Sequence, residues 1–222
     1  GTYIKFGTGD AVYVADTETV SAFDYGLTDL ISLAINDAAD NTDNNDAETL
    51  TLSGSAFPQE VALAPNDNEN YTNSFRMTAP KERLANENES SLVAGAVRGL
   101  YASAVKMVAP SAAQRSELGL DKPYAVLTAV YPDTTIKLSA SKPDQDGNVY
   151  LTADGKDVVY TIAADKVPWV LTSYDKLCAE YVCSPKMTAL TGMTVKADGK
   201  TYDFTLESKE SVTTDDKGEE TA

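Results

Sequence analysis

The sequence predicts an α+β fold: duplicated hairpin–helix–hairpin units, with mostly antiparallel sheets packed against helices. Two observations carry this expectation. Pairs of strand-like stretches rich in aromatic and β-branched residues flank Gly-containing turns, the signature of β-hairpins. Each such pair is followed by apolar residues at helical spacing, and the whole pattern occurs twice at one constant offset.

The first hairpin runs from Gly1 to Val14 and turns at Gly7-Thr8-Gly9-Asp10; the second runs from Asn148 to Thr161 and turns near Gly155. Tyr3 aligns with Tyr150, Asp10 with Asp157, Val12 with Val159 and Tyr13 with Tyr160. Beyond the hairpins, Val20, Phe23, Leu27, Leu30 and Ile31 fall on one helical face. Val167, Val170, Tyr174, Leu177 and Cys178 repeat the same steps. Asp16 or Thr17 is positioned to cap the first helix and Asp165 the second, with Pro168 in the first turn, where a missing N–H costs little. Shared core faces with unshared surfaces indicate duplication of a folding unit.

Further elements follow in order. Residues 49–54 form a strand, and residues 36–48 before it an Asp/Asn-rich loop. Residues 65–83 are polar and turn-rich. A long helix is expected over about 90–108, with Leu92, Val93, Ala96, Val97, Leu100, Ala104 and Met107 as its buried stripe; Gly95 and Gly99 weaken it and Pro110 ends it. Strands at 124–131 and 134–140 make a hairpin, as do 193–197 and 201–206. From Glu207 onward the chain is acidic and nearly devoid of apolar residues, which predicts a disordered tail over 207–222.

Composition removes several function classes. Hydrophobic residues make up 42% of the 222, enough for a core. With 34 acidic against 18 basic residues the net charge is −16, so the surface repels phosphate backbones, and no Lys/Arg cluster offers anionic lipid a foothold. The chain has no histidine, which excludes Ser-His-Asp and Cys-His catalysis. Two cysteines cannot build a four-thiolate zinc site. No apolar run is long enough to cross a bilayer as a helix. Because Gly1 leads straight into the strand-like Thr2-Tyr3-Ile4-Lys5-Phe6, the sequence is expected to start inside a longer protein.

The segment Leu118-Gly119-Leu120-Asp121-Lys122-Pro123, a strand hairpin, Gly147-Asn148-Val149-Tyr150, Val158-Val159-Tyr160 and then a helix ending Tyr174-Asp175-Lys176-Leu177 resembles domain-of-unknown-function family 4340. The resemblance covers about 118–206, with an earlier copy over 1–54 and residues 65–110 as its end. It implies a unit repeated along a chain anchored by one N-terminal membrane segment, in proteins that accompany ABC-transporter components of the gliding-motility type. Extracytoplasmic location in the cell envelope, envelope or transporter partners and the absence of a known enzymatic activity follow from the resemblance; it carries over no site residues. The domain reading is a first unit over 1–110, a second over 111–206 and the tail.

Candidate sites are few. Cys178 lies on the apolar helix face and Cys183 just beyond its end; they pair in a disulfide if the chain turns between them, or remain two separate buried thiols if Cys183 sits in a strand. Asp37, Asp40, Asp43, Asp46 and Glu48 suggest calcium, but they recur at every third residue and lack the Gly and distal Glu of an EF-hand, so a solvated loop is the better reading. Asp144-Gln145-Asp146-Gly147-Asn148 reads as a turn. Asn70-Tyr71-Thr72 and Asn88-Glu89-Ser90 match the glycosylation sequon, a weak signal. Most of the twelve tyrosines fall at alternating strand positions that explain them by half-buried packing. Neither metal nor cofactor is called for. The leading functional expectation is a non-enzymatic scaffold or interaction module; the alternative binds glycans or other envelope ligands through exposed tyrosines, and an enzyme would have to work with carboxylates alone.

Overall fold

The computed structural model describes residues 1–5, 7–21, 23–36, 46–207, 213–214 and 220–221. Strands account for 37% of the chain and helices for 18%, so sheet dominates. The strands are β1 (Thr2–Lys5), β2 (Val12–Ala15), β3 (Thr49–Ser53), β4 (Val61–Pro65), β5 (Phe75–Ala79), β6 (Arg83–Leu84), β7 (Ala104–Val108), β8 (Ala125–Val130), β9 (Thr135–Ala140), β10 (Asn148–Ala153), β11 (Val158–Ala163), β12 (Gly192–Ala197), β13 (Lys200–Thr205), β14 (Thr213–Thr214) and β15 (Glu220–Thr221). The α-helices are short: α1 (Thr17–Ser21), α2 (Glu87–Gly95), α3 (Ala112–Glu117) and α4 (Tyr174–Leu177).

Nine strands form one sheet in the order β6-β5-β4-β3-β8-β9-β10-β11-β7, and every pairing is antiparallel. Strands from both sides of residue 110 share it. The period-2 geometry of strands explains why these sequences belong together. In β8, Ala125, Leu127 and Ala129 are buried while Val126, Thr128 and Val130 are half-exposed. β3 buries Leu50 and Leu52 opposite Ala129 and Leu127, and Leu127 in turn faces Leu138 of β9. Aligned apolar positions thus make one continuous core face, the usual arrangement of an antiparallel sheet with a single solvated side.

That face is covered by α2, by a 3-10 turn at Pro168–Val170 and by α4, which bring Val93, Trp169, Val170 and Leu177 into the core. The caps are local and side-chain made. Asn86 accepts from the Glu89 N–H at 3.2 Å and Ser173 from the Lys176 N–H at 3.4 Å. Ser111 and Gln114 form a reciprocal capping box on α3.

Five expectations are corrected. The long helix over 90–108 ends at Gly95, and β7 occupies its second half. Two glycines four residues apart are poor helix formers, Gly99 adopts φ 69°, and Val105, Met107 and Val108 gain a ladder with β11. Of the expected stripe, Val93, Val97 and Leu100 are buried, but Leu92 and Ala104 are exposed. The helix after β2 is only α1 and a 3-10 turn at Leu27–Leu30, separated by Asp24, Tyr25 and Gly26. The helix after β11 is broken likewise, into 3-10 turns at Ala164–Lys166 and Pro168–Val170 and then α4. Pro168 has no N–H to continue a helix, and Ser173 starts a new one. Finally, β4, β5 and α3 lie in segments read as turns or left unassigned. In the tail, β14 and β15 pair over two residues each where no structure was expected; 208–212, 215–219 and 222 lie outside the described residues.

Besides the two-residue pair β14–β15, two hairpins stand apart from the large sheet among the described residues, β1–β2 and β12–β13. β1–β2 has the same register as β10–β11 at the constant offset: Tyr3↔Val14 corresponds to Tyr150↔Thr161, and Ile4↔Tyr13 to Leu151↔Tyr160. The 3-10 turn Leu27–Leu30 coincides with α4 at that offset. The surroundings differ. Val159, Tyr160, Val170 and Leu177 are buried, whereas Val12, Tyr13, Phe23 and Leu30 are exposed, Phe23 to 83%.

Candidate functional site

The turn that follows α2 is held by a strap from residues 33–36. Ile35 N–H donates to Leu100 O at 2.8 Å, and Ala102 N–H to Leu33 O at 2.8 Å. The Asn36 amide donates to Val97 O, and its oxygen accepts from Leu100 N–H at 2.9 Å. The strap fixes Arg98. Its guanidinium lies 3.9 Å from the Tyr131 ring centroid and donates through Nη2 to Asp133 Oδ1 at 2.8 Å. With 12% of the side chain exposed, this ion pair is shielded from solvent on the arginine side. Arg98 Nε is buried and has no acceptor among the described residues.

Arg98 is the common wall of two clefts. One, of about 520 Å³, is lined by Ala47, Pro65, Phe75 and Ala94, with Asp46 and Ser91 as polar members. The other, of about 660 Å³, is more polar and holds Asp133, Lys137, Asp154 and Lys156. Ser74, beside the first cleft, is already engaged: its N–H and hydroxyl donate to the Glu87 carboxylate at 2.7 and 2.6 Å. Arg98 therefore stands between a more apolar cleft and a more polar one, with its guanidinium paired to Asp133.

Burial pushes the Tyr131 phenol above its ordinary value, against the opposing pull of Arg98, and burial does the same to Tyr160. Since the folded protein retains these protons when the unfolded chain has released them, the associated stability is complete below about pH 10 and is lost as pH rises through the raised values. Denaturation midpoints measured across that range are expected to fall, and Tyr131→Phe is expected to flatten part of the fall. An unchanged slope in the variant would mean that Tyr131 ionises as freely in the fold as outside it.

The other candidates separate. Cys178 and Cys183 are both free thiols, so the disulfide alternative is not realised in this structure. Cys178, half-buried, bridges antiparallel to Ala85 and accepts from Arg83 Nη1 at 3.2 Å, while Cys183 lies exposed, so the thiols are separate and neither is buried. Asp46 and Glu48 are exposed, and Asp37, Asp40 and Asp43 lie outside the described residues. Among the described residues no group of three or more His, Cys, Asp or Glu could hold a metal ion. Asp144 Oδ1 accepts from Asp146 N–H at 3.0 Å and Asn148 N–H at 2.8 Å, with Gly147 at φ 78°, which makes that motif a turn between β9 and β10. Tyr3, Tyr13, Tyr25, Tyr101, Tyr181 and Tyr202 are exposed, more than half-buried packing predicts. Among the described residues no helix is long and apolar enough to cross a membrane.

The Arg98–Tyr131–Asp133 cluster was missed in the sequence because its members come from a turn and the end of a strand. The local signal, Tyr131-Pro132-Asp133 closing a predicted strand, says nothing of Arg98. In comparisons with known proteins, the family model described as Domain of unknown function (DUF4340) matches residues 76–222. No curated protein and no solved structure matches.

Proposed function

We propose that this chain, which belongs to the DUF4340 family, is a non-enzymatic interaction module. In this reading it is a scaffold held on the extracytoplasmic side of a bacterial envelope by an anchor elsewhere in its protein, accessory to an ABC transporter. The two hairpin–helix segments are copies of one unit, a first over 1–110 and a second over 111–206. Matched register and the matched helical turn support that duplication.

One observation carries the functional reading. Apolar side chains are displayed at both outlying hairpins: Val12 and Val14 on β2, with Phe23 just after α1, and Met193, Tyr202 and Phe204 on β12–β13. Cross-strand pairs Met193↔Phe204 and Val195↔Tyr202 put these last three and Val195 on one face of β12–β13. Contiguous exposed apolar surface of this kind marks protein contact. Glycan binding is the second reading, favoured by the six exposed tyrosines.

Photo-crosslinking in intact cells tests it. A crosslinking residue at Phe23 or Phe204 is expected to give discrete adducts with a membrane-complex subunit, while one at the exposed Glu60 gives none. Adducts absent from both hairpins, together with slowed exchange at Tyr181 or Tyr202 on adding envelope glycan, would overturn the scaffold reading in favour of the glycan one.

A further inference from the structure

We propose that Cys178 and Cys183 form a thiol–disulfide exchange site, closed by a low-molecular-weight disulfide and reopened by a low-molecular-weight thiol. The two cysteines border one short loop, and both ends of that loop are pinned beside the β5–β6 edge of the sheet. On one side, Asn86 N–H donates to Leu177 O at 2.8 Å and Ala179 N–H to Leu84 O at 3.2 Å, with Cys178 bridged to Ala85. On the other, Thr72 N–H donates to Ser184 O at 3.1 Å and Lys186 N–H to Asn70 O at 2.7 Å, with Pro185 bridged to Tyr71. The two anchors are themselves tied together. Ala85 N–H donates to Phe75 O at 3.2 Å, and the Asn73 amide donates to Ala85 O at 2.8 Å. Between the anchors the chain bends at Glu180, Tyr181 and Val182, with Tyr181 exposed to 72% and Val182 fully. The fold therefore holds both ends of the Cys-to-Cys segment, which in the unfolded chain only loop-closure entropy governs.

The two thiols divide the chemistry. Cys183 is exposed and meets the small disulfide first. Its thiolate attacks one sulfur, forms a mixed disulfide and releases one thiolate. Cys178 then attacks the Cys183 sulfur, which closes the loop disulfide and expels the second thiolate. The two protons lost by the cysteines end on the two released thiolates, so two protein thiols are oxidised and one small disulfide is reduced. Arg83 serves the second step. Its Nη1 donates to Cys178 Sγ at 3.2 Å, which sets a cation on the sulfur that has to attack as an anion. Closure requires Cα atoms about 4.4–6.8 Å apart. The bend over 180–182 adds no side chain to the core, so it is the part that adjusts.

The test equilibrates the full, reduced chain in mixtures of glutathione and glutathione disulfide and reads intact mass and thiol alkylation. The expected product is lighter than the reduced chain by two hydrogens, loses both thiols to alkylation together and carries no glutathione. Its formation constant should exceed that of the same chain in urea by about tenfold or more, because the anchors hold the loop ends. Cys178→Ser is expected to stall as a stable glutathione adduct at Cys183, and Cys183→Ser to react about tenfold more slowly than the parent chain. Arg83→Gln should lengthen the life of the mixed disulfide severalfold, and Arg83→Lys should restore its decay. Glutathione adducts that persist without loop closure, disulfide-linked dimers through Cys183, or a native constant no greater than that in urea would overturn the proposal. So would a mixed disulfide that decays as fast in Arg83→Gln as in the parent chain.

Discussion

Leu177→Ala is expected to lower the unfolding free energy by about 2–5 kcal/mol, and its neighbour Lys176→Ala by about 0.5 kcal/mol or less. Leu177 is fully buried at the end of α4, among side chains from α2 and the 168–170 turn, so truncation removes apolar contact and leaves a cavity. Lys176 is exposed, and its ammonium donates to Leu171 O at 3.1 Å. Urea denaturation of both variants measures the contrast. Equal losses would mean that α4 is rotated from the orientation described, and the match between α4 and the Leu27–Leu30 turn would lose its meaning.

Gly54→Ala is expected to cost about 1–3 kcal/mol in backbone strain alone, with a further loss from steric displacement. Gly54 sits at φ 105°, and a Cβ there would stand 2.8 Å from Tyr124 O and 3.0 Å from Pro123 O. Those carbonyls accept from Ala56 N–H at 2.8 Å and Ser55 N–H at 3.2 Å, so pushing them away also weakens the bonds that join the end of β3 to the start of β8. Each such bond contributes about 1 kcal/mol net. Gly155→Ala is the control: φ is 76°, but nothing lies within 4 Å of the added carbon. Its loss should be clearly smaller in the same denaturation experiment. Equal losses would assign the whole effect to φ and none to the contact with β8.

Residues whose structure is set by neighbours in sequence were legible. β8, β9, β12 and β13 appear where alternation and turn residues place them, and Asp198-Gly199, both at positive φ, closes the last hairpin as an Asp-Gly turn. The Ser111–Gln114 capping box is local as well, but the helix it starts is short and carries no buried residue. Residues 96–108 were not. Val97, Leu100, Ala104 and Met107 satisfy a helical period, yet 104–108 pair as a strand with β11, some fifty positions away, and that pairing decides between them. The Arg98 cluster failed for the same reason, since Asn36, Arg98 and Tyr131 meet only through the strap and the sheet.

Amide hydrogen exchange of the chain alone addresses most directly the claim that a nine-stranded body carries two outlying hairpins free to engage partners. Slow exchange is predicted in β3, β8, β9, β10 and β11, whose ladders are flanked on both sides, and exchange faster by orders of magnitude in β1, β2, β12 and β13. Protection of β1–β2 equal to that of β10–β11 would show that the hairpin is already covered within the chain. That result would contradict the account.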